Sequence, residues 1–199
     1  GQIGYNYQVD NLSKVKFLAG IEADIQGITG SGGNSGRSSV STLTVTPQNY
    51  AFINQQASTS LSYLGTVRGR FGIILIPSIL IYGTGGLAYG QANVSLTNFA
   101  SWNNAWQGGY GNQSNTQVGW TAGGGIEWLF AQNWSVKAEY LYYDIGKVQG
   151  SFTNSGNNAG DAILASQTNY STRYTGNLLR AGVNYHFNWG KPASVVASY

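Results

Sequence analysis

The chain has 199 residues, enough for one domain with a full interior, yet only 9% of them are charged, against about 25% in ordinary soluble domains. Ten basic and seven acidic residues leave a formal charge of +3 with no basic run or stripe, which argues against a nucleic-acid partner. Cysteine is absent, which excludes a disulfide framework, a thiolate metal site and a catalytic thiol.

Seven segments alternate with period two, the spacing of a strand with one apolar and one polar face. The first covers residues 2–9. The second, residues 14–26, is the cleanest: Val15, Phe17, Ala19, Ile21, Ala23 and Ile25 share one face, and Lys16, Gly20, Glu22, Asp24 and Gln26 the other, with Leu18 as the single exception. The third covers residues 60–72. It leads into an apolar stretch, residues 71–83, that Pro77 interrupts and that is too short for a spanning helix, which needs about 20 residues. The fourth, residues 79–94, fits neither parity well because Gly83, Gly85 and Gly86 fall inside it. No helical pattern follows these glycines, so they are no phosphate loop, and strand bending or close packing is the expectation.

The fifth segment, residues 117–130, sets Val118, Trp120, Ala122, Ile126, Trp128 and Phe130 against Gln117, Thr121 and Glu127. The sixth, WSVKAEYLYYD (residues 134–144), carries Trp134, Val136, Ala138, Tyr140 and Tyr142 opposite Ser135, Lys137 and Glu139. The seventh, residues 178–187, sets Leu179, Ala181, Val183, Tyr185 and Phe187 against Arg180, Asn184 and His186. With so little charge in the chain, the apolar faces are expected to meet lipid and the polar faces to turn into a barrel lumen. The fold class predicted is all-β, a transmembrane up-and-down antiparallel barrel.

The connections alternate in length. Residues 10–13, 73–78 and 131–133 are short, whereas residues 27–59, 95–116 and 144–176 are long and rich in Gly, Ser, Asn and Thr, the pattern of short periplasmic turns and long extracellular loops. Their composition points to flexible tips without structure of their own. Seven strands make the first and last run in the same direction. An eighth strand upstream is therefore expected in the intact protein, and no charged-then-apolar leader opens the sequence. The predicted division is a barrel over residues 1–187 and a periplasmic tail over residues 188–199.

Five blocks, SYLGTVRGRFG (62–72), IYGTGGLAYG (81–90), QVGWTAGGGIEW (117–128), WSVKAEYLYYD and LLRAGVNYHF (178–187), resemble the alphaproteobacterial small outer-membrane β-barrel family. Its members are the outer-membrane immunogenic or porin-family proteins with an OmpA-like barrel. The resemblance implies an outer-membrane location, lipid and lipopolysaccharide as surroundings, and a surface antigen in a Gram-negative envelope. It also brings in two alternatives, a small low-conductance porin and a haemin-binding surface protein, for which the loop tyrosines Tyr50, Tyr110, Tyr170 and Tyr174 are candidate ligands.

No catalytic constellation is marked. His186 is the only histidine, directed inward near the periplasmic end, and a structural role is the expectation over a catalytic one; no enzyme activity, cofactor or metal is expected. What remains is an inward charge network of Lys16, Glu22, Asp24, Arg68, Arg70, Glu127, Lys137, Glu139 and Arg180. An eight-stranded barrel has room only for its own side chains, so these groups should pair and plug it. If residues 131–133 form a three-residue loop, Phe130 stands opposite Trp134 and Glu127 opposite Lys137, which predicts an ion pair between the last two and assigns Glu139 to Arg68, Arg70 or Arg180. A homo-oligomer and a periplasmic or peptidoglycan contact through the tail are left open. The leading function is a structural, surface-exposed outer-membrane barrel that supports envelope integrity.

Overall fold

The computed structural model describes residues 1–9, 16–28, 39–46, 49–102, 105–157 and 163–187. Eight strands occur among them: β1 (Gln2–Val9), β2 (Lys16–Gly27), β3 (Ser39–Thr46), β4 (Asn49–Ile76), β5 (Ile79–Trp102), β6 (Ala105–Ala131), β7 (Trp134–Asn157) and β8 (Ile163–Tyr185). Seven follow one another in the sheet in the order β1-β2-β4-β5-β6-β7-β8, and the short β3 pairs with β4 off this path. Every step is antiparallel, so β1 and β8 run the same way at the two edges. The expected tail and the turn at residues 10–13 lie outside the described residues.

Period-two patterning located the strands but not their length. The fifth element of the chain runs 24 residues and the sixth 27, against about 9–11 for a tilted membrane strand. Most of residues 95–116 and 144–176, expected as loops, is therefore paired strand, and residues 49–59 continue β4. Apolar and aromatic residues at successive inward positions hold the start of these extensions together. Leu61, Ala92, Val94, Val148 and Tyr174 form one buried cluster with Leu64, Ala88 and Ile145, and Leu96 and Tyr170 pack against it. Richness in Ser, Thr and Asn on the remaining positions disguised that alternation.

Two bulges mark where the extensions begin. Leu61 pairs with Ala92 and Leu64 with Gly90, so two residues of β4 stand against one of β5. In β7, Asp144 pairs with Thr175 and Lys147 with Arg173, again two against one, and Gly146 there has φ 87°, a left-handed conformation natural to glycine. Each bulge reverses parity, so that Leu61 and Leu64 are both buried, as are Ile145 and Val148.

The turn between β6 and β7 also differs from expectation. Ala131 pairs with Trp134, and the register shifts between Leu129 and Ala131; a two-residue turn with an irregularity at Phe130 replaces a three-residue loop. The extra residue restores the count, and Trp128 faces Val136 and Glu127 faces Lys137.

Gly86 shows why the glycine-rich part of β5 has no side chains to read. It stands directly opposite Arg68, and a Cβ there would lie 2.2 Å from the Val67 carbonyl oxygen and 2.7 Å from the Arg68 Cα. Backbone, not a flexible side chain, closes the space. Gly86→Ala is expected to lower stability by about 1–3 kcal/mol through overpacking, seen as an earlier unfolding midpoint in urea; an unchanged midpoint would show that β4 and β5 separate without cost.

Candidate functional site

The sheet has an outside, a layered inside and one open seam. Outward positions near the turn end form an apolar belt. Ile21, Val67, Phe71, Ile81, Leu87, Val118, Ile126, Leu179 and Val183 are all exposed, an arrangement that water penalises and hydrocarbon does not. Aromatic rings concentrate at its two rims. Near the turns, Trp134 meets Tyr185 at 5.0 Å and Tyr185 meets Phe187 at 4.8 Å between ring centroids, and Trp128 lies beside Phe130. At the other rim Trp120 packs on Tyr142 at 5.4 Å and Tyr63 on Tyr89 at 6.5 Å. Trp120 and Phe130 lie ten residues apart on β6, roughly 33 Å of strand at about 3.3 Å per residue, which tilts down to about the 25 Å height of an apolar belt. Amphipathic rings favour such a boundary because one edge stays wet.

Inside, four layers follow from the turn end upward. The floor is Leu18, Leu80 and Tyr82, with Ile74 packed against them. Above it lies the ionic layer. Arg68, wholly buried, binds Glu22, reaches Asp24 at 2.8 Å through the same Nη2, and donates from Nη1 to Glu139 at 3.0 Å. Arg180 donates from Nε to Glu139 at 2.6 Å and from Nη2 to Asp24 at 2.9 Å. Lys137 reaches Glu22 at 3.1 Å. Arg70 binds Glu127 and lies 3.7 Å over the Tyr82 ring, while Thr66 and the Tyr82 hydroxyl donate to Asp24 and Glu139. A third, apolar layer is the Leu61, Leu64, Val94, Ile145 and Tyr174 cluster. Amides make the fourth: Asn98 donates to Asn154, which donates to Thr168 at 2.7 Å.

Eight of the nine residues assigned to the inward network meet in the ionic layer: the cations Arg68, Arg70, Lys137 and Arg180, and the carboxylates Glu22, Asp24, Glu127 and Glu139. Four charges of each sign cancel. Lys16 is the exception. It shares the inward parity but stands at the end of β2, exposed, and none of the described ion pairs includes it. The expected Glu127–Lys137 pair also needs correction, for although the two residues are opposite one another, Glu127 takes Arg70 from β4 and Lys137 crosses to Glu22 on β2. Inward side chains this long reach across a narrow interior as readily as to the next strand. Glu139 takes Arg68 and Arg180.

Sequence reasoning missed the partners of His186. Ser135, wholly buried, lies 2.8 Å from His186 Nε2 and also hydrogen-bonds Glu127, to which Asn184 donates at 3.0 Å. The residue types are those of a hydrolase, but the protons are misplaced. With the serine proton directed at Glu127, the histidine nitrogen must donate to the serine oxygen and is not free to act as its base. Period two places Ser135 inward; only the register shows what it touches.

The haemin-ligand tyrosines are not brought together. Tyr110 is exposed on the outer face, Tyr170 is directed inward to Gln113, and Tyr174 is buried with its hydroxyl on the Asn93 carbonyl at 2.7 Å; the Tyr50 side chain lies outside the described residues. The seam is a cleft of about 560 Å³ between the facing edges, lined by Ile3, Gly4 and Asn6 of β1 and residues 181–184 of β8, and it reaches Glu22, Asp24, Arg70, Glu127 and Arg180 of the ionic layer.

The model of the outer membrane protein beta-barrel domain matches residues 1–187. The 31 kDa outer-membrane immunogenic proteins of Brucella melitensis biotype 1 and Brucella suis biovar 1 are each 34% identical over 193 residues, 94% of this chain and 64% of theirs. The chain thus spans somewhat less than two thirds of these relatives. The 22 kDa outer membrane protein of Rhizobium leguminosarum bv. viciae is 36% identical over 80 residues, 40% of this chain and 32% of that protein. No solved structure is significantly similar. An apolar belt with aromatic rims around a charged interior, carried by seven antiparallel strands, agrees with that match along the whole described sheet: the chain belongs to the family of outer-membrane β-barrel domain proteins.

Proposed function

We propose that this outer-membrane protein is a sealed structural barrel that braces the envelope and presents its extended hairpins to the outside. Its barrel unit spans residues 1–187, lipid and lipopolysaccharide surround the belt, and the short turns and residues 188–199 face the periplasm. The observation that carries this reading is the neutral ionic layer lodged between two apolar ones. An ion moving along the interior would have to cross an apolar layer with no hydration to offer on either side of cations and carboxylates already committed to one another.

The cleft between β1 and β8 we read as the place of a strand antiparallel to both. Bare backbone edges in hydrocarbon cost several kcal/mol per unpaired group, and a direct β1–β8 pair would be parallel. Catalysis has no support in a buried serine without a free base, nor haemin binding in tyrosines that point to opposite sides of the wall. The immunogenic relatives accord with a surface antigen.

A small porin is the rival reading, and planar bilayers separate the two. Purified protein is expected to leave the membrane resistance unchanged, with at most rare, unsteady openings. Steady unitary conductance that Leu64→Gly enlarges would establish a pore.

A further inference from the structure

From Ser38 to Ile126 the only charged residues are Arg68 and Arg70, and both are buried in the ionic layer. The outer face of the hairpins formed by β4, β5 and β6 is therefore free of charge over the described residues. Above the belt it carries hydroxyls and amides in rows: Asn93 donates to Ser62 at 2.8 Å, and Gln91 donates to Ser114 at 2.8 Å. Higher still, rings reappear. Phe52, Phe99, Trp106 and Tyr110 are 40%, 39%, 47% and 63% exposed, although Phe99 lies ten residues beyond Tyr89 at the belt rim, roughly 33 Å along the strand. Lipid cannot account for them at that height.

Register places these four rings together on three adjacent strands. Ser101 is flanked by Phe52 and Trp106, Phe99 by Asn54 and Gly108, and Thr97 by Gln56 and Tyr110. Phe52 and Phe99 lie 6.4 Å apart between ring centroids. Gly108 leaves the ground beside Phe99 open, since a Cβ there would come within 3.4 Å of that ring. Aromatic rings thus alternate with amides and hydroxyls on one uncharged face.

We infer that this face binds neutral saccharide chains. A pyranose ring offers a face of C–H bonds that packs on an aromatic ring and a rim of hydroxyls that needs both donors and acceptors; Asn54, Gln56, Thr97 and Ser101 supply both beside the rings. The absence of charge decides against anionic partners, which basic side chains would have to hold. A second copy of this chain is the competing occupant. Placement of the face outside the cell rests on the orientation proposed above; the binding itself does not.

The test uses the purified chain in detergent, with laminarin and dextran as neutral probes and polygalacturonate as the anionic one, titrated by calorimetry at low and high salt. At least one neutral glucan is expected to bind with a salt-independent, sub-millimolar to millimolar Kd. The double variant F99A/W106A, altered only at exposed positions, should weaken it at least tenfold while its unfolding midpoint stays unchanged. The inference is overturned if neither glucan binds, if polygalacturonate binds as well or better, if the variant binds like the parent, or if sedimentation shows self-association that the variant abolishes. Biotinylation of a Thr97→Cys variant on intact cells tests the orientation separately, and its failure leaves the glucan result standing.

Discussion

Replacing Arg68 by Met is expected to cost about 3–5 kcal/mol, the range found when one partner of a buried ionic cluster is removed and the others stay charged. Its guanidinium serves three carboxylates, on Glu22, Asp24 and Glu139, and all three are buried. The layer would pass from four cations and four carboxylates to three and four. The measurement is urea-induced unfolding from liposomes, followed by tryptophan emission. A compensating double variant sharpens it: E22Q in the R68M background removes the surplus charge and should recover more than half of the loss. Equal instability of the single and double variants would mean that Arg68 acts through its bulk rather than its charge.

The second large effect concerns the belt. Ile126 lies midway between the aromatic rims on the outer face, flanked by Ile81 and Ala138, and is 45% exposed. Ile126→Arg is expected to lose about 2–4 kcal/mol, the cost of a cation at the lipid midplane of a barrel. Ser95→Arg, outward on the same wall but beyond the rim, should stay within about 0.5 kcal/mol, the usual range for surface changes. Folding yield into vesicles and the urea midpoint both report the difference. If the two substitutions cost the same, the belt is not in contact with hydrocarbon.

The parts of this structure that were readable beforehand share a cause. In β2 and in the lower halves of β6, β7 and β8, outside is apolar and inside is charged, so a period of two announces both the strand and its faces. That contrast fails where the interior itself is apolar. In β5 the inward residues are Leu80, Tyr82, Ala88, Ala92 and Val94 while the outward ones include Ile81 and Leu87, so neither face looked different, and the glycines between them removed the remaining clue. Bulges defeat parity in another way. Nothing in LSYL or DIGK announces that an extra residue will turn Leu61 inward or shift Val148 into the row of Ile145. Partner choice in the ionic layer was the least legible of all, because a long side chain in a narrow lumen has several opposite charges within reach and strand neighbourhood alone does not rank them.

The span of the ionic contacts along the chain bears on how the barrel comes together. Most strand pairs join neighbours in sequence and can form as successive hairpins, at small cost in chain entropy. The charge layer cannot be completed that way. Arg68 meets Glu22 and Asp24 as soon as β2 and β4 pair, but Lys137 is 115 residues from its partner Glu22, and Arg180 is 156 from Asp24, so the carboxylates of β2 lack the rest of their cations until the last two strands arrive. Full neutralisation of the interior is thus a late event in assembly, and it works as a latch: each hairpin is reversible until β8 docks, after which pulling away any one of the five charged strands would leave charges among the other four without their partners.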